Sequence, residues 1–376
     1  MNPLGLYIHI PFCKRKCAYC DFVSYPGCES EMDNYIENVI GEARLYMDAL
    51  FSRKVNTVFV GGGTPSLLST AQFMRLVEGL KTCCNWNVTE FTVEANPETL
   101  DAQKLAAYAN CGVNRLSIGL QTHDDAILSR IGRRHTWNTF LQAYEAASKH
   151  FDNINADTIF GLPGQTLDGY LETLRRVTKL GMKHVSSYAL KLEAGTPLAA
   201  EYAGTDEELD REMYHAGIDA LESAGLFQYE TSNFAMNGFK CRHNLKYWTG
   251  AEYLGLGVAA HSMLKIGYPV RFGNVKKLRQ YFRMVGDGDK PVSESETLSV
   301  QDEKEEYIML RLRLTDGIDF SEYNMQFNES FGEVFDEPVS YCEKAGLIFR
   351  TSKGIAPTKK GFDLQNSLIR KFINNI

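Results

Sequence analysis

Apolar and polar positions follow two rhythms over the first two hundred residues, and beyond that point the rhythm changes. Short runs rich in Val, Ile, Leu and Phe at 6–10, 55–60, 91–94, 115–119, 154–160 and 185–190 have strand character. Between them apolar residues return every three or four positions, the spacing of an amphipathic helix. In the first such stretch, 30–51, Met32, Tyr35, Ile36, Val39, Ile40, Ala43, Tyr46, Met47 and Leu50 fall on one stripe and predict a single long helix. Thr166 opens a later helix that stops at Gly181. Thr205 with Glu208 has the capping-box pattern for one ending at Gly225.

Strands that alternate with helices predict an α/β fold of parallel βα units over residues 1–225. Residues 226–298, aromatic and containing glycines, are expected to connect this core to a C-terminal helical domain at 299–376. The latter's run GLIFRTSKGIAPTKKGF resembles the wing of a small winged-helix module. Its first helix, QDEKEEYIMLRLRL, mixes acids with bases, and the chain carries a net charge of -7, so no nucleic-acid partner is expected. The start of the sequence lacks a signal-peptide pattern and no segment is long and apolar enough to span a bilayer. The expected location is the cytoplasm, with peripheral membrane association left open.

Nine cysteines change the picture only through their spacing. Cys13, Cys17 and Cys20 form C-x3-C-x2-C directly after the first strand, whereas Cys28, Cys83, Cys84, Cys111, Cys241 and Cys342 have no metal-like spacing with them. Three thiolates on an iron-sulfur cluster leave one iron open to a small chelating ligand. Zinc completed by His9 or Asp21 is the other use of such a loop. Lys14, Arg15 and Lys16 either offset the cluster's negative charge or form a solvated basic loop. Further along, Gly61-Gly62-Gly63-Thr64-Pro65 ends the second strand, where absent Cβ atoms permit close backbone approach to a ligand. Glu94, Gln121, Asp157 and Tyr188-Ala189 stand at the ends of the next four strands, the face on which sites of βα barrels are built.

The run YIHIPFCKRKCAYCDF resembles the cluster loop of radical S-adenosylmethionine (SAM) proteins, more narrowly the family of haem chaperones and oxygen-independent coproporphyrinogen III oxidases. The resemblance implies a partial (β/α)6 barrel with a small C-terminal winged-helix-like domain. It implies a [4Fe-4S] cluster on Cys13, Cys17 and Cys20 that reduces SAM by one electron, with an external electron donor. Gly62, Gly63 and Thr64 would meet the amino-acid end of SAM, Glu94, Gln121, Arg133 and Asp157 its amino, carboxylate or ribose groups. Tyr19, Ile159 and Ala189 would flank the adenine, and Tyr7 would also face the cofactor.

Within that family, Cys20 is followed by Asp21 and Phe22, where the oxidase type continues with a further cysteine, and few residues precede Cys13. HNLKYW at 243–248 matches the H-N-x-x-Y-W signature of the chaperone group, which implies His243 as an axial haem ligand and Tyr247 and Trp248 packing on the porphyrin, with His261 as the fallback. The sequence is therefore identified as that of a haem chaperone delivering haem to recipient proteins, with a homodimer permitted. The alternatives are a coproporphyrinogen dehydrogenase and a zinc-stabilised winged-helix regulator.

Overall fold

The computed structural model describes residues 2–373; Met1 and residues 374–376, the outermost ends of the first and last expected spans, lie outside it. All six expected strands form: β1 Leu4–Ile10, β2 Lys54–Gly62, β3 Asn85–Ala95, β4 Arg115–Gln121, β5 Asn153–Phe160 and β6 His184–Ala189. They lie side by side in chain order, each pair parallel, as crossover helices require. This is the radical SAM type of partial barrel, with helices outside and a C-terminal domain. The helices start where side chains satisfy their first amides: Ser69 with Gln72 in a capping box, Asp101, Thr136 and Thr166 as single caps.

Residues 226–298 do more than connect. Strands β7 Phe227–Glu230 and β8 Asn233–Ala235 extend the sheet beyond β6, while β9 Tyr253–Leu256, β10 His261–Ile266, β11 Tyr268–Asn274 and β12 Val292–Thr297 extend it beyond β1. The resulting order is β12-β11-β10-β9-β1-β2-β3-β4-β5-β6-β8-β7. Parallel β9 is registered on β1 with Leu256 opposite Ile8, so both strands deliver their following loops to the same edge. Both edges of the half-barrel are thus paired, which removes two exposed rows of backbone donors and acceptors.

Two local expectations need correction. The stripe at 30–51 is not one helix: Met32–Leu45 and Met47–Phe51 are separated at Tyr46, whose φ of -113° and ψ of 13° leave the helical region. The break turns Met47 out to solvent while Tyr46 and Leu50 stay buried. The helix that ends before Gly225 is Glu207–Ser223 and is capped by Asp206. Thr205 instead donates its hydroxyl to Asp210. Aspartate one residue later offers the stronger acceptor to the same end.

The C-terminal part has its own apolar core, with Tyr307, Tyr323, Phe331, Phe335 and Phe372 at its centre, and a three-stranded antiparallel sheet of Ile318–Asp319, Gly354–Pro357 and Ile348–Arg350. It is fastened to the barrel by the Thr315 amide on the Tyr229 carbonyl and by Asp363, which takes Arg211.

Candidate functional site

After Ile10 the chain turns away and Phe12–Cys13 pairs with Tyr25–Pro26, so Cys13 stands at the root of a closed loop that carries Cys17 and Cys20. The loop is tied down from several sides. Ala18 donates its amide to the Ile131 carbonyl (3.0 Å) and accepts from the Leu198 amide (2.9 Å), while Gly63 donates to the Ile10 carbonyl (2.8 Å). Glycine is required at 63, where a Cβ would sit 2.7 Å from the Phe12 carbonyl and 3.1 Å from Cys13 Sγ. Thr64 Oγ1 donates to Cys13 Sγ (3.5 Å) and Arg133 Nη1 to Cys17 Sγ (3.7 Å). Burial raises the pKa of the Cys13 and Cys20 thiols above the ordinary range, so these thiols need a metal or cation nearby to ionise.

The strand ends bring the expected polar groups to this loop. The Gly62 amide donates to Glu94 Oε2 (3.0 Å), and burial, reinforced by Asp157, lifts the Glu94 carboxyl to about 8. Asp157 accepts from Ser117 Oγ and Asn155 Nδ2, each at 2.9 Å, and burial raises its pKa too. Arg133 donates to Asn96 Oδ1 (2.8 Å) and to the Gly119 carbonyl (3.0 Å). Gln121 is buried with φ of 66°, a strained conformation for a residue with a side chain. Gln121 Oε1 and Arg133 Nε are both buried without a hydrogen-bond partner.

Tyr19 and Ile159 meet on one apolar shelf with Ile127, Ile131, Leu162 and Leu190. Ala189, the last residue of β6, is exposed beside it. Behind the strand ends lies a chamber of about 290 Å³ whose lining includes Tyr7, Glu94, Arg115, Asp157, Tyr188 and Tyr247. Arg115 was missed by sequence reasoning, although polar Ser117, Asn155 and Asp157 at alternate places in otherwise apolar strands mark the inward face of β4 and β5.

HNLKYW lies away from the cysteine loop. It forms the helix Arg242–Thr249, whose first amides, those of Arg242 and His243, donate to the two oxygens of buried Glu90 at 2.8 Å each. Lys246 Nζ donates to the Pro3 carbonyl and the Gly5 amide to the Glu252 carbonyl, so the helix closes the barrel at the end opposite the cysteine loop. His243 is fully buried; Nδ1 bonds Thr57 Oγ1 and Nε2 bonds the Tyr247 hydroxyl, both at 2.9 Å. Burial lowers its pKa to about 3. As placed, it has no nitrogen left for iron. Tyr247 faces the chamber, but Trp248 points the other way, under Arg313 of the C-terminal domain. The fallback, His261, starts β10 immediately after the loop from β9 and is exposed on the cysteine-loop edge.

His9 is likewise engaged at both ring nitrogens, by the Tyr7 hydroxyl (2.9 Å) and the Val23 carbonyl (3.0 Å), and so is not a fourth zinc ligand as placed. Among the described residues no three His, Cys, Asp or Glu side chains converge on one ion. Thiolates that each bind a separate iron of one cluster do not need to converge on a point. The buried orphan atoms of Gln121 and of Arg133, which donates to Cys17, and the glycine cradle against Cys13 fit a cluster with a polar ligand beside it.

A thiol loop at the carboxyl edge of a parallel βα half-barrel, faced by strand-end carboxylates, defines a radical SAM protein, and residues 7–177 match the radical SAM superfamily while 298–364 match the HemN C-terminal domain. That superfamily implies a [4Fe-4S] cluster, SAM and an electron donor. The chain is 34% identical to the heme chaperone HemW of Lactococcus lactis over 99% of its own length and 98% of that protein. It is 32% identical to the heme chaperone HemW of Bacillus subtilis, over 98% and 99% respectively. The chain therefore belongs to the heme chaperone HemW family. In fold it is similar to the radical SAM enzyme coproporphyrinogen III oxidase (HemN) from Escherichia coli, with a TM-score of 0.86 and 24% identity over 100% of this chain and 91% of that one.

Proposed function

We propose that this chain binds haem as cargo and hands it to recipient proteins, with a cluster on Cys13, Cys17 and Cys20 and SAM held beside it. The observation that carries the reading is the full-length likeness to relatives named heme chaperone HemW. When bound, the cluster supplies one-electron reducing power to SAM. The chain's own part is binding and orientation. Gly62, Gly63 and Thr64 admit the amino-acid end; Glu94, Gln121, Arg133 and Asp157 take its polar groups; Tyr19, Ile159 and Ala189 flank the base; Tyr7 closes the chamber behind. For haem iron, His261 is the accessible imidazole, whereas His243 would first have to release Thr57 and Tyr247.

The test is to load the reconstituted protein with haem under anaerobic conditions, mix it with a haem-free acceptor protein, and follow the acceptor's absorption band. Transfer faster than from free haem supports the proposal. A parallel incubation with coproporphyrinogen III, SAM and reductant decides against the oxidase reading if no protoporphyrinogen forms; catalytic formation would overturn the chaperone assignment.

A further inference from the structure

The inward face of the barrel keeps a second group of unfilled polar atoms, away from the cysteine loop. Arg115 opens β4 at the end opposite Gln121 and is only 2% exposed. Thr92 on β3 and Asn153 on β5 are its register partners, so the three side chains leave the sheet on one face and at one level. Thr92 Oγ1, Arg115 Nε and Asn153 Oδ1 are each buried without a hydrogen-bond partner. The carboxylates whose charge Arg115 feels are already engaged. Glu90 accepts the amides of Arg242 and His243, and Asp157 accepts from Ser117 and Asn155. A buried guanidinium edge without an acceptor is costly, and a ligand that brings one offsets that cost.

Arg115 also lines the chamber of about 290 Å³. Its walls include Tyr7 and Phe59, with ring centroids 6.3 Å apart, and Tyr247 from the helix Arg242–Thr249. Glu94 and Asp157 line it too, but they are registered on Ser117 and Gly119, nearer the cysteine-loop edge than Arg115. The chamber is therefore cationic at one end, carboxylic at the other and aromatic between. We propose that it is a binding site for a small hydroxycarboxylate, with the carboxylate on Arg115 and the hydroxyl donating to Asp157 or Glu94. A carboxylate offers the paired oxygens that a guanidinium takes side by side, and the rings hold the body of the ligand. The volume is that of about ten water molecules, which suits a ligand of about ten non-hydrogen atoms and is too small for a tetrapyrrole. The site is thus additional to those for SAM and haem, and the inference stands on the chamber rather than on the haem reading.

The probe is para-hydroxybenzoate, titrated by calorimetry into the anaerobically reconstituted full chain, with para-hydroxybenzamide, uncharged and of the same shape, alongside. The expected result is saturable one-to-one binding of the acid, at least about tenfold tighter than the amide in the parent, and no preference between the two in Arg115→Gln. Should that variant not fold, the ratio in the parent decides alone. The affinity for the acid should be the same with SAM at saturation and after haem loading. No saturable binding of the acid at millimolar concentration, or equal affinity for acid and amide in the parent, overturns the site and leaves the chamber to water. Full preference for the acid in a folded Arg115→Gln chain overturns it as well. So does competition with SAM, which would give the chamber to SAM itself, or displacement by haem, which would give it to a haem propionate.

Discussion

The two ends of the half-barrel differ in how their polar groups are satisfied. At the cysteine-loop end Gln121 Oε1 and Arg133 Nε have no partner, Gln121 is strained, and two carboxyl groups are held above their usual pKa. At the HNLKYW end Glu90 is filled by helix amides, His243 by Thr57 and Tyr247, and Lys246 by a carbonyl. Both segments look like ligand motifs in a linear sequence. At the cysteine loop the unfilled capacity lies beside the strained Gln121 and the thiol loop, where a ligand would offset a cost of about 1–3 kcal/mol per buried unpartnered group, whereas Arg115 Nε and Asn153 Oδ1, at the starts of β4 and β5, are without a partner at the other end.

The largest contrast is in metal. Replacing any one of Cys13, Cys17 or Cys20 by Ala should remove nearly all iron and sulfide from reconstituted protein while the circular dichroism spectrum stays native. Retention of more than half the iron in any single variant would break the assignment of the loop. His243→Ala should act on stability instead, by about 2–4 kcal/mol in urea unfolding, because it opens a cavity and strands Thr57 and Tyr247. Haem affinity should then follow His261→Ala, whose exposed ring costs less than about 0.5 kcal/mol on removal. The reverse pattern, with haem lost in a stable His243 variant, would place a ligand site at the plug.

A smaller effect separates the ends by pH. Glu94 keeps its proton to about 8 in the folded chain but to 4.5 in a solvated one, so its share of stability falls as pH rises from 4.5 to 8 and is flat above. Glu42, lifted to about 7 by burial although Tyr281, the Gly257 amide and Asn274 donate to it and pull the other way, adds to the same slope. Glu94→Gln should remove its part of that slope and weaken SAM binding about tenfold, or 1.4 kcal/mol, read by equilibrium dialysis. An unchanged slope would mean that the chamber is wetter than its lining suggests. Trp248→Ala should cost about 1 kcal/mol of stability through its contact with Arg313 and leave SAM and haem binding untouched.

Much of this was legible in the chain. Short apolar runs and the 3.6-residue period place six strands and their crossover helices, because burial of both faces of a central parallel strand and of one face of a helix imposes those patterns locally. The thiol spacing and the strand-end carboxylates of Glu94 and Asp157 could be identified for the same reason: a parallel βα unit sends the end of every strand to one face. The fate of 226–298 could not be read, because strand pairing at a sheet edge joins residues far apart in the chain, such as Leu256 and Ile8. Nor could the role of Arg115, which lies at the start of β4 and becomes a chamber residue only when the barrel curves around it.

The order of elements and the chemistry of the cysteine loop thus belong to the sequence, where spacing along a strand or a helix is already spacing in space. Whether an imidazole is free belongs to the tertiary structure. Thr57, His243 and Tyr247 are brought together from a strand and a helix 186 positions apart, and the bonds between them occupy both ring nitrogens, which the HNLKYW pattern alone does not reveal.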